Sequence, residues 1–193
     1  MKAPTIDFSR KCSLPGSLVT LRPVTMADVS ALHAALRDTE LAVLTGSVHD
    51  RTEARHKEWS MAELEDIYRR WAVAEDRIVW AIVDHDSGEV VGESVLNDLD
   101  LGNRSCGFRI WISGARNKGL GTEATRLTMR HAFADQGLNR VELEVYDFNP
   151  RARHVYEKVG FVHEGVKRQA LRYEGGWIDA HVMSILACEW ADH

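Results

Sequence analysis

The chain has 193 residues, 45% hydrophobic and 27% charged, with a formal charge of −5, which is enough material to bury one substantial core. A net-negative chain lacks the surplus lysine and arginine that displaces counterions from phosphates, so no nucleic-acid partner is expected. Cys12, Cys106 and Cys188 are odd in number and widely spaced, no stretch approaches eighteen apolar residues, and residues 1–20 lack a signal-peptide core. These features disfavour a disulfide framework, a zinc site and a membrane partner, and they fit a reducing cytoplasm.

In chain order, residues 1–17 read as a loose N-terminal leader and 18–193 as a single domain. Val19–Pro23 alternates as a first strand, and Thr25 is placed to cap a helix running to about Arg37. A longer helical pattern, carrying Trp59, Leu64, Ile67 and Trp71, runs from about Thr52 to Ala74. Val79–Asp84 and Val90–Asn97 are β-rich runs joined by a turn containing Gly88, which makes a hairpin. Cys106–Ser113 is the next strand, and a helix from about Gly119 to Gln136 ends at Gly137. Val141–Tyr146 alternates apolar and polar without exception, as a half-buried strand does. Asn149-Pro150 opens a short helix that Gly160-Phe161 closes, before strands near Phe161–Val166 and Trp177–Leu186. The sum is a mixed β-sheet covered by about four helices.

The loop Arg116-Asn117-Lys118-Gly119-Leu120-Gly121 lies between a strand and a helix. Unpaired amides at a helix start, together with the helix dipole, favour an anion. Two glycines allow close backbone approach, Thr122 adds a hydroxyl, and Arg116 and Lys118 add positive charge. The segment is neither a Walker A loop, which needs Gly-Lys-Ser/Thr, nor a full dinucleotide fingerprint. By itself a Gly-x-Gly before a helix is as often a tight turn as a phosphate site.

RNKGLG nevertheless resembles the Arg/Gln-x-x-Gly-x-Gly/Ala loop of the GNAT acetyltransferases. Some thirty residues later, Asn149-Pro150-Arg151-Ala152-Arg153-His154-Val155-Tyr156-Glu157-Lys158-Val159-Gly160-Phe161 is similar to the N-x-x-A-x-x-x-Y-x-K-x-G-F segment of the RimJ/RimL-like branch. The resemblance implies an α/β (α+β mixed) fold: a mostly antiparallel sheet of six to seven strands with splayed central strands. It implies acetyl-CoA as co-substrate, with the pyrophosphate on the loop amides and Thr122, and the pantetheine along the backbone of Trp111, Ile112 and Ser113. Asn149 would bond the pantetheine region, Arg151, Arg153 and Lys158 would meet cofactor phosphates where they are not simply solvated, and Tyr156 would protonate the departing thiolate. On local grounds Asn149 also fits a helix N-cap, and Tyr156 also fits a packed helix aromatic. Members of this family often form homodimers.

An acceptor ammonium must lose its proton before it attacks, because its ordinary pKa is about 10. Where many relatives carry a glutamate on the strand after the hairpin, this chain has Gly107. Glu93, in an apolar strand where a lone carboxylate needs a partner, becomes the first candidate base, ahead of Asp98, Asp179 and His181. No HxxxH or HExxH spacing occurs among the nine histidines, and no metal is expected. Between Asp38 and Asp66 stand eight acids and only three bases. Read as one wall of the acceptor site, this segment suggests a small cationic amine of aminoglycoside or polyamine type; read plainly, it is two solvated helix faces. The alternatives are acetylation of a protein N-terminus and a non-catalytic acetyl-CoA sensor.

Overall fold

A computed structural model describes residues 4–56, 59–114 and 118–190. Eight strands form one sheet: β1 (Leu14–Pro15), β2 (Val19–Pro23), β3 (Ile78–Asp84), β4 (Val90–Asp100), β5 (Ser105–Ile112), β6 (Arg140–Tyr146), β7 (Val162–Tyr173) and β8 (Gly176–Leu186). Their spatial order is β1-β2-β3-β4-β5-β6-β8-β7. Every neighbouring pair is antiparallel except β5 and β6, which run parallel and meet only at Ser105–Arg140, Cys106–Val141 and Gly107–Glu142. Past Gly107 the two central strands part. The helices are α1 (Val29–Leu36), α2 (Thr39–Leu44), α3 (Arg51–His56), α4 (Met61–Val73), α5 (Leu120–Arg130), α6 (Pro150–Val159) and α7 (Ala187–Trp190).

Strand alternation assigns each side chain to one of two layers. On one face Val29, Leu32, Leu64 and Tyr68 of α1 and α4 pack on Val79 and Val95. On the other, Leu120, Ala124 and Leu127 of α5 and Tyr156 and Val159 of α6 pack on Leu96, Phe108, Val141, Leu143 and Val145. Along β4 the switch occurs residue by residue. Ser94 meets Thr128 of α5 at 2.6 Å, whereas Glu93 is bonded to Tyr68 of α4.

The expected mixed sheet is present, with more elements than anticipated. The helical run from Thr52 divides into α3 and α4, because Ser60 and Glu63 form a capping box that starts a new helix. Helix α2, capped by the Asp38 carboxylate at the Glu40 amide (2.9 Å), was not anticipated. The helix expected to reach Gln136 ends with one π-helical turn, His131–Asp135.

Between Phe8 and Leu14 the segment expected as a loose leader packs against the domain. Phe8 is 1% exposed and Leu14 is buried in the main core. The Lys11 ammonium donates to the carbonyls of Phe8, Ala74 and Arg77, and the Trp80 indole donates to the Cys12 carbonyl at 2.8 Å. Burial lowers the Lys11 pKa, and three carbonyls replace the water it has lost.

Glu123, in the first turn of α5, ties the strand β2 entry to that helix. Its carboxylate accepts the amides of Ser17, Leu18 and Val19 at 2.9, 2.6 and 2.8 Å. Burial pushes its pKa up, but the three amides outweigh this and hold it below the usual value. Such a group stabilises the fold above its unfolded pKa of about 4.3, and the contribution fades as pH falls through the native value. Glu123→Ala is therefore expected to cost about 2 kcal/mol in urea unfolding at pH 7, with a narrower gap to the parent at pH 3. An equal gap at both pH values would contradict this role.

Candidate active site

The parting of β5 and β6 opens a cleft of about 720 Å³ through the sheet. Its donor-side walls come from α5 and α6, and α2 lies over the opposite side. At the wide end stands the start of α5. Gly119 is its N-cap in the left-handed region (φ 81°), a conformation that glycine adopts without a Cβ penalty. The first intrahelical bond runs from the Glu123 amide to the Gly119 carbonyl, leaving the preceding amides of the first turn for a ligand. Gly119, Leu120, Gly121, Thr122 and Thr125 all line the cleft, and a Cβ on Gly121 would lie 3.7 Å from the Ile112 side chain.

Along β5 the register decides which peptide groups face the split. The Ser113 amide donates to the Val91 carbonyl at 2.9 Å, so by alternation those of Trp111 and Arg109 also turn toward β4. The peptide groups of Ile110 and Ile112 face the split instead. The backbone expected from Trp111 and Ser113 is thus committed to the sheet. Of the three residues named from sequence, Ile112 remains suited to a pantetheine, and Ile110 joins it. Trp111 still lines the cleft with its side chain, while the Ser113 hydroxyl sits 3.4 Å from Asp38.

At the narrow end Tyr156 of α6 lies edge-on to Phe108 (centroids 6.2 Å apart), the first residue beyond the last β5–β6 pair, and against Phe161 at 5.8 Å. It is 7% exposed yet lines the cleft, and burial pushes its pKa far above the ordinary tyrosine value. Asn149 caps α6, its carbonyl oxygen accepting the Ala152 amide at 3.1 Å, and it also borders the cleft. Cap and ligand contact are compatible, since the Asn149 side-chain NH₂ is not used by the cap.

Other assignments change. Of the three α6 cations named from sequence, Arg153 points away from the cleft, held by Glu157 at 3.0 Å and His181 at 3.4 Å, while Arg151 and Lys158 line it together with His154. Lys118 is drawn toward Asp84 and Asp86, at 3.9 and 3.8 Å. Arg116 and Asn117 lie outside the described residues.

Glu93 is sealed behind Trp111 and does not border the cleft. Asp98 is exposed at the end of β4 and bonded to Asn97, Asp179 accepts the Gln169 amide at 2.7 Å, and His181 is bonded to Asp147 and His163. None of these three lines the cleft. A side chain at Gly107 would meet the Asn97 amide group at 3.3 Å. Among the described residues the carboxylates that do border the cleft are Asp38, Glu40 and Glu144. Glu144 escaped sequence reasoning because the alternation of Val141–Tyr146 marks it only as solvent-facing; Arg109, likewise unflagged, lines the cleft from β5. Of the acidic 38–66 segment, Asp50, Glu53 and Glu63 serve helix starts and Asp66 pairs with Arg69. Among the described residues of this segment, only Asp38 and Glu40 of its acids reach the cleft. Among the described residues no group of His, Cys, Asp and Glu could hold a metal ion, and no helix is long and apolar enough to cross a membrane.

A sheet split at its central parallel pair, with an anion-receptive helix start at the wide end and a buried phenol at the narrow end, defines the acetyltransferase class of α/β folds. The chain belongs to the GNAT acetyltransferase family: the family model described as an acetyltransferase (GNAT) domain matches residues 19–162. YdaF of Bacillus subtilis, provisionally assigned as a ribosomal N-acetyltransferase, is 35% identical over 104 residues, 53% of this chain. The chain spans little more than half of that relative's length, 57%. Spermidine N(1)-acetyltransferase of Escherichia coli K12 is 29% identical over 177 residues, covering 91% of this chain and 90% of that protein. In fold, the chain resembles the spermidine N-acetyltransferase of Vibrio cholerae solved with CoA and spermine. The TM-score is 0.80 at 23% identity, over 91% of this chain and 99% of that one.

Proposed function

We propose that this chain is an N-acetyltransferase that moves the acetyl group of acetyl-CoA directly to a primary amine of a small cationic acceptor, of polyamine or aminoglycoside type. The observation that carries this is the cleft itself. It joins an anion-receptive helix start to a wall bearing Asp38, Glu40 and Glu144, so one passage suits a phosphate-bearing donor and an amine. The similarity to spermidine acetyltransferases over nine-tenths of the chain supports the polyamine choice.

The residues present fit acetyl-CoA. The α5 amides and Thr122 would hold its pyrophosphate, Arg151 and Lys158 stand by for further phosphate, and Ile110 and Ile112 offer peptide groups to the pantetheine. Acetyl-CoA supplies the acetyl group as a thioester activated toward amines. Because burial keeps the Tyr156 phenol protonated across the working pH range, its Oη holds a proton ready for the departing sulfur. The role expected of Glu93 passes to Glu144, the cleft carboxylate standing on a strand that borders the split, with a water relaying the ammonium proton to it.

The test is release of free thiol from acetyl-CoA with spermidine, spermine, putrescine, an aminoglycoside and short peptides with free N-termini. Turnover is expected with the polyamines or the aminoglycoside. Turnover of peptides alone would overturn the small-molecule acceptor, and tight CoA binding without turnover of any amine would overturn the enzyme.

A further inference from the structure

Glu93 is a deeply buried carboxylate that the chemistry above leaves unused. It is 5% exposed, on β4, directly across from Trp111 of β5. The Trp111 indole N–H donates to its Oε2 at 2.9 Å, and the Tyr68 hydroxyl, from α4, donates to Oε1. Each carboxylate oxygen thus has its own donor, and the site is satisfied without solvent. Burial raises the Glu93 pKa, while the two donors and the charge of Arg109 oppose the rise. Tyr68 is itself buried and edge-on to Trp71 at 5.6 Å, so the far end of the bracket is anchored in α4.

Trp111 belongs to the α1/α4 face of the sheet, whereas Tyr156 and Phe108 belong to the α5/α6 face. Only because β5 and β6 part does one cleft touch both. On the side away from Tyr156, the indole lines the cleft.

We propose that Glu93 is a positioning residue, whose carboxylate fixes the Trp111 indole as the acceptor-side wall and so governs which amines reach the acetyl group. Its effect on turnover rests on the acetyl-transfer reading; the bracket itself does not. Without the carboxylate the indole N–H loses a buried partner and the ring is free to turn, which widens or blocks the acceptor path while leaving the donor path along Ile110, Ile112 and α5 intact.

Three variants test this. Glu93→Gln keeps an oxygen for the indole and an NH₂ for the Tyr68 oxygen, so acceptor kcat/KM is expected to stay within about threefold. Glu93→Leu removes both bonds, and the acceptor KM is expected to rise about tenfold with the acetyl-CoA KM unchanged. In Trp111→Phe the further change Glu93→Leu is expected to add nothing, the non-additivity of residues acting as a unit. A readout independent of activity is the Trp111 indole ¹⁵N–¹H resonance, assigned by its loss in Trp111→Phe. It is expected to shift in Glu93→Leu and to hold its place in Glu93→Gln. Should Glu93→Leu fail to fold, Glu93→Asp, too short to reach both donors, replaces it in each measurement. A hundredfold loss in Glu93→Gln that recovers toward high pH would make Glu93 the base and overturn the proposal, as would an unmoved indole resonance in Glu93→Leu. If no amine is acetylated by the parent protein, the enzyme reading falls, and the resonance still decides the bracket.

Discussion

Tyr156→Phe is expected to lower kcat by about a hundredfold while the KM for acetyl-CoA stays within about twofold. The ring is fixed by Phe108 and Phe161, so phenylalanine keeps the packing. Among the described residues burial alone acts on the hydroxyl and no hydrogen bond does, so its removal orphans nothing in the fold. What disappears is a proton donor at the narrow end of the cleft. Burial raises the phenol pKa well above the ordinary 10, so this group adds no descending limb to the rate profile below that pH. Single-turnover measurement of thiol release separates chemistry from product departure. Acetyl donors with more acidic thiols should narrow the gap between the variant and the parent, because a better leaving group needs less protonation. A change under about threefold with acetyl-CoA would remove Tyr156 from the chemistry.

The second large effect belongs to the opposite end. Gly121→Asp is expected to raise the KM for acetyl-CoA about a hundredfold with little change in the acceptor KM. The backbone tolerates the change, since Gly121 is in ordinary helical conformation and its added Cβ meets only the Ile112 side chain, at 3.7 Å. An aspartate in a first helical turn favours the helix dipole, so the melting temperature should not fall. Its carboxylate, however, occupies the amides offered to the pyrophosphate and repels phosphate charge. Losing two charge-assisted hydrogen bonds at about 1.5 kcal/mol each gives the stated factor. Calorimetric titration with CoA checks it, with Gly121→Ala as the steric control expected within about fivefold. Unaltered CoA affinity in Gly121→Asp would move the phosphate site elsewhere.

Features that depend on local periodicity or on a cap were legible before the fold was known. The strict alternation of Val141–Tyr146 is β6, and Asn149-Pro150 with Gly160 in the left-handed region bounds α6. Features that depend on a distant partner were not. Phe8 stands between Asp7 and Ser9 and Leu14 between Ser13 and Pro15, with no apolar period to mark either, and nothing adjacent to Lys11 reveals that the end of α4 and the start of β3 bring it carbonyls. Glu93 was recognised as a carboxylate in need of a partner, but Tyr68, twenty-five residues earlier, reaches it only once α4 lies on the sheet. Of the three cations of α6 expected near phosphate, helical phase separates Arg153 from the other two. Two residues turn about 200°, so the two arginines face opposite sides, and Arg151, Val155 and Lys158 share the side that meets the cleft. Helix α2 has six residues, fewer than periodicity resolves, although Asp38 ahead of Glu40 was a usable start signal.

The parallel seam between β5 and β6, three residue pairs long, also bears on how such proteins diversify. Beyond it, the donor side offers peptide groups whose presentation depends on strand direction, and side-chain replacement at Ile110 or Ile112 leaves that presentation unchanged as long as the strand persists. The opposite wall, made by Trp111, Glu144 and the short α2, is built from side chains and is correspondingly free to drift. A lineage descended from this chain can therefore exchange one amine for another through a few replacements on that wall while inheriting its acetyl donor unaltered.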